Sequence, residues 1–136
     1  MNTPAEREAV LARLSDAFSR GDNAAIIEAM RPDVDVEVPG TSEFAGHHHG
    51  PDEVDRWLRG VRRAFRTMGD PIVSHEGDDM VVSRVVRLKL GEWTLRFRIT
   101  FDESRRIGRL VWEADDIETF DVLVEAVFEA ADRPGD

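Results

Sequence analysis

The sequence predicts an α+β domain: one largely antiparallel sheet with helices packed on one of its faces. Three observations carry this. Apolar residues recur at helical spacing in the first half of the chain and again at its C-terminal end. Period-two alternation fills residues 71–116 between them, with one earlier alternating run at 33–38. The length of 136 residues suits a single domain, 1–136, with one core.

The first helix opens at "TPAE". Thr3 can cap it, Pro4 fits its first position, and Glu6 completes a capping box. Val10, Leu11, Leu14, Ala17 and Phe18 form its apolar stripe. Gly21 suits the stop, and Asp22 can cap a short second helix bearing Ile26, Ile27 and Met30. "DVDVEV" (33–38) alternates strictly, so Val34, Val36 and Val38 share the inner side of a strand that Pro39–Gly40 ends.

A loop containing His47, His48 and His49 follows. A third helix begins at Pro51, with Val54, Trp57, Leu58, Val61, Phe65 and Met68 on one face, and breaks at Gly69–Asp70–Pro71. Strands are expected at 71–76, 80–90, 92–101 and 106–116, with a hairpin turn at Gly91. A terminal helix spans about 119–131.

Net charge is −10, from 28 acidic and 18 basic residues, which argues against a nucleic-acid partner. The stretch 79–109 departs from this, with eight bases against four acids. On the alternation it reads as a sheet whose outer face carries arginines. Cysteine is absent, which removes disulfides, thiolate metal ligands and cysteine nucleophiles. No apolar run approaches 18 residues and the N-terminus lacks a leader pattern, so a cytoplasmic protein without a membrane span is expected.

With "FSRGD" (18–22), "DVDVEVPG" (33–40), "FAGHHHGPDEVDRWL" (44–58) and "RIGRLVWEADD" (106–116), this order resembles the SnoaL-like, ketosteroid-isomerase-related branch of the nuclear-transport-factor-2-like superfamily. The resemblance implies a cone-shaped, cystatin-like fold, in which a strongly curved sheet wraps a long helix around an apolar pocket. It implies homodimers through the outer sheet face, and proteins that range from isomerases and cyclases to pure binding domains. It also places the catalytic positions of the ketosteroid isomerases at Val38, Phe97 and about Leu14. None of these side chains can move a proton, so that chemistry is excluded there. The arginine and paired aspartates of the limonene-epoxide-hydrolase type find no match either.

The alignment sets the inward parity. Trp93, Leu95, Phe97 and Ile99 share a face with Leu110, Trp112, Ala114 and Asp116. A pocket walled by Trp57, Trp93, Phe97 and Trp112, with Leu14 and Val38, would suit a small, flat, apolar molecule; otherwise these aromatics simply fill the core.

Asp116 is the sharpest polar candidate. Among tryptophans it would serve as a general acid or base, as the inner-face aspartate of SnoaL-like cyclases does. Alternatively it caps the terminal helix or pairs with Arg84. A slip of one residue would exchange it with Asp115.

His47 and His49 point to one side of an extended loop and His48 to the other. Two imidazoles fall short of a zinc site, which needs three or four ligands, and no metal or cofactor is expected. His49 or His47 at the pocket rim, able to shift a proton near neutral pH, is the alternative to a solvated loop. Two functions follow: a cofactor-independent isomerase or cyclase acting on a carbonyl or polyketide-like compound, or a non-catalytic small-molecule-binding or dimerisation module.

Overall fold

The capping box forms as the sequence requires. The Thr3 hydroxyl accepts from the Glu6 amide, the Glu6 carboxylate accepts from the Thr3 amide, and α1 runs over Pro4–Ser19. Asp22 caps α2 (Asn23–Glu28) by accepting from the Ala25 amide. This computed structural model describes residues 3–134. The remaining elements are β1 (Met30–Val38), β2 (Gly46–His49), α3 (Gly50–Ala64), β3 (Phe65–Met68), β4 (Ile72–Glu76), β5 (Asp79–Leu88), β6 (Gly91–Phe101), β7 (Ile107–Glu113) and α4 (Ile117–Asp132).

All seven strands join one curved, unclosed sheet in the order β2-β1-β7-β6-β5-β3, with β4 also paired to β5. Most pairs are antiparallel, but β1 and β7 run parallel, Val36 opposite Leu110. Buried apolar side chains line the inner face of each long strand: Val34, Val36 and Val38 of β1, Met80, Val82 and Val86 of β5, Leu95 and Ile99 of β6, Leu110 and Trp112 of β7. Helix α3 packs on α4 and β1 through Val54, Leu58 and Val61, while Phe120, Leu123, Val124 and Phe128 close the core from α4. No described helix is long and apolar enough to cross a membrane.

Three elements depart from the sequence reading. The histidine run is not a loop: Gly46–His49 pairs with β1 as an edge strand, His48 opposite Val36. The third helix stops at Ala64 rather than Met68, because residues 65–68 pair with β5 instead. The last strand ends at Glu113, three residues short of the expected end, and Asp116 becomes the N-cap of α4.

Candidate functional site

Between the inner sheet face and helices α1 and α3 lies a cavity of about 290 Å³. Leu11, Leu14 and Phe18 line it from α1, in register because they lie three and four residues apart on one helical face. Leu95, Phe97 and Ile99 line it from β6, in register because alternate strand residues share a side. Trp57, Leu58 and Val61 of α3 supply a further wall. The volume lies near the lower limit for ligand pockets, about 300 Å³. A space of this size suits a small molecule of one or two rings.

The lining contains one charged side chain, Arg84, and two hydroxyls, Ser15 and Ser19. Arg84 sits on β5 in phase with the buried Met80, Val82, Val86 and Leu88, so strand parity turns it inward. Its Nη2 donates to Ser15 Oγ at 2.9 Å and its Nη1 to the Gly69 carbonyl at 3.1 Å. No carboxylate among the described residues lies within ion-pair distance of it. Burial pulls its pKa down from the ordinary arginine value, with only Asp70 acting in the opposite sense. Ser19 donates to the Asp16 carbonyl at 2.7 Å within its own helix.

Of the expected wall, Trp57, Phe97 and Leu14 line the cavity. Trp112 lies behind them, 1% exposed, edge-on to Trp57 and Phe97 at 5.4 Å each. Val38 is buried in the core without reaching the cavity surface. Trp93 turns elsewhere, its indole N–H donating to the Thr119 carbonyl at 3.0 Å and tying β6 to the first turn of α4.

The polar candidates are not brought to the cavity. Asp116 is exposed, and its carboxylate accepts from the Glu118 amide at 3.1 Å and the Thr119 amide at 3.4 Å. The reason is that β7 ends at Glu113, so the strand alternation that would have turned residue 116 inward has already stopped. Asp116 does not pair with Arg84. Asp115 is bound by Arg96 at 2.9 Å, outside the cavity.

His47 and His49 do share a side, with rings 6.1 Å apart, but it is the outer sheet face and not a pocket rim. Pairing with β1 sets this: Glu37 opposes His47 and Asp35 opposes His49, on the outward parity of that strand. His47 Nδ1 lies 2.9 Å from Asp35 and its Nε2 3.4 Å from Glu37; Arg109 reaches Glu37 at 3.1 Å. His48 points inward, donating from Nε2 to the Phe44 carbonyl at 2.7 Å and stacking on Phe128. No group of three or more metal-binding side chains is assembled among the described residues.

Chemically, the cavity can desolvate an apolar body and offer one guanidinium to an anionic or carbonyl oxygen. Among the described residues its lining holds no carboxylate or imidazole. Arg84 is the group that the sequence reading counted among the outer-face arginines or as a partner for Asp116, and that the structure turns into the cavity. Its phase within "MVVSRVVRL" was the available signal, since an arginine on an otherwise apolar strand face must meet either a partner or a cavity.

No protein-family model matches the chain, and no curated protein matches it. Solved structures do. A de novo designed protein with a curved β-sheet superposes with a TM-score of 0.74 at 18% identity, covering 94% of this chain and 98% of its own. A steroid Δ-isomerase from Pseudomonas aeruginosa gives 0.70 at 20%, covering 93% and 89%. A candidate polyketide cyclase from Sinorhizobium meliloti gives 0.63 at 26%, covering 77% and 94%. The fold is the cystatin-like, nuclear-transport-factor-2-like one.

Proposed function

We propose that this chain, a nuclear-transport-factor-2-like fold, binds a small, largely apolar molecule in the cavity between α1, α3 and the inner sheet face, without acting on it. The carrying observation is the composition of the lining: aliphatic and aromatic side chains almost throughout, with one guanidinium, two hydroxyls and the buried indole N–H of Trp57 as the polar groups of its lining residues. Burying an apolar ligand there gains roughly 25 cal/mol per Å² removed from water. Proton transfer of the isomerase or cyclase type would need a base whose pKa is tuned near the working pH. Binding is therefore favoured over that chemistry.

The expected homodimer through the outer sheet face is a separate proposal. There Arg96 pairs with Glu113 and Arg98 with Glu76, while Ile72 and Val85 are exposed apolar side chains. Sedimentation of the wild type against Val85→Glu tests it, since a dimer through this face would dissociate in the variant.

The binding proposal is tested by titrating 2-naphthamide, a neutral two-ring probe, into the wild type and into Leu14→Trp while following heat of binding. Saturable binding that the larger indole at residue 14 abolishes supports it. Equal binding by both proteins, or none by the wild type, overturns it.

A further inference from the structure

The cavity holds a cation that no carboxylate among the described residues contacts, Asp70 acting on it only from beyond ion-pair distance. Three other sheet arginines have carboxylate partners: Arg96 with Glu113 and Asp115, Arg98 with Glu76 and Asp79, Arg109 with Glu37. Those pairs lie on the outer face. Arg84 is the inward-facing exception, and its two protein acceptors, the Ser15 hydroxyl and the Gly69 carbonyl, are both neutral. A guanidinium carries five N–H donors and these two bonds use two of them. Because Ser15 Oγ accepts from Arg84, its own O–H is left to donate. One guanidinium edge and one hydroxyl therefore stand together on the wall of an otherwise apolar space.

From this juxtaposition we propose that the ligand is an apolar carboxylic acid, bound as its anion, with the carboxylate on Arg84 and the Ser15 hydroxyl and the hydrocarbon body against Leu14, Trp57 and Phe97. The inference rests on the binding reading above and specifies its ligand class. Its physical basis is a balance of costs. Placing a cation in low dielectric is expensive unless it is paired. A planar, bidentate carboxylate is the partner whose geometry matches the guanidinium fork, and charge-assisted bonds of this kind are about twice as strong as neutral ones. The lowered pKa of Arg84 agrees with a cation awaiting such a partner.

The test compares naphthalene-2-carboxylate with 2-naphthamide, two probes of nearly the same shape, near pH 7 and constant ionic strength. Wild type, Arg84→Met and Arg84→Lys are titrated by calorimetry, with a thermal melt confirming that each is folded. The expected result is a preference for the carboxylate of about 10- to 100-fold in the wild type. It should disappear in Arg84→Met while amide binding persists, and be partly kept in Arg84→Lys, which retains charge but not the fork. Equal affinity of the wild type for both probes, or an undiminished carboxylate preference in Arg84→Met, overturns the assignment while leaving the cavity a binding site. Failure of both probes to bind the wild type overturns the binding reading and this inference together.

Discussion

Arg84 on β5 reaches Ser15 on α1 at 2.9 Å, linking sheet and helix along the wall of an apolar cavity. The link is polar but not an ion pair, and the guanidinium is half-buried. Replacing a poorly compensated internal charge by an apolar side chain of similar length is often neutral or stabilising. Arg84→Met should therefore leave the ligand-free protein as stable as the wild type, or raise its stability by up to about 1 kcal/mol. Chemical denaturation measures this. A loss of more than about 1 kcal/mol would make Arg84 a strut of the fold, since that is the typical worth of a structural hydrogen bond.

Asp116 bonds the first-turn amides of α4 and faces solvent. Asp116→Ala should cost about 1 kcal/mol, the usual value for removing an N-cap. Affinity for 2-naphthamide should not change. A large loss of binding with little loss of stability would return Asp116 to the site.

Gly60 lets α3 and α4 approach closely. A β-carbon there would overlap the carbonyl oxygen of Val127, which belongs to the backbone and cannot swing aside. Gly60→Ala gains helix propensity, worth about 1 kcal/mol in an unhindered helix. The clash should outweigh it, since overpacking costs about 1–3 kcal/mol plus whatever propensity it cancels. The net outcome is a lower melting temperature; an unchanged or higher one would mean that the helices separate at no cost.

The long elements were legible because periodicity is a local property. The helix stripes and the β6 alternation needed no knowledge of their partners. What was not legible depended on partners. "GHHH" has no apolar alternation and is a strand because β1 offers it a ladder. Phe65 and Met68 continue the spacing of Val54, Leu58 and Val61, and only pairing with β5 takes them out of the helix. Asp116 was misplaced by extending a correct parity past the end of its strand. Arg84 was countable in the sequence, but whether a cavity or a carboxylate met it depended on how α1 crosses the sheet.

The loop after β1 is held from α4. Asp121 accepts from the Thr41 hydroxyl at 2.7 Å, from the Thr41 amide at 3.0 Å and from the Ser42 amide at 3.2 Å. Gly40, at φ +114°, has no room for a β-carbon, which would fall on the same carboxylate. The Thr41 hydroxyl, followed by the two amides, holds Asp121 below its ordinary pKa of 3.8, against the opposing effect of burial. A carboxylate with a depressed folded pKa contributes stability that is fully present above the unfolded value and is lost as pH falls through the folded one. Asp121→Asn keeps the shape but brings an amide NH₂ toward groups that themselves donate. The variant should therefore unfold at lower urea than the wild type at about pH 7. The gap should begin to narrow as pH falls below the unfolded value, about 4, and go on closing as pH falls through the lower pKa of Asp121 in the folded protein. Urea midpoints of both proteins across that range check the sign. A gap that stays constant with pH would mean that shape, and not the charge on Asp121, anchors residues 40–42.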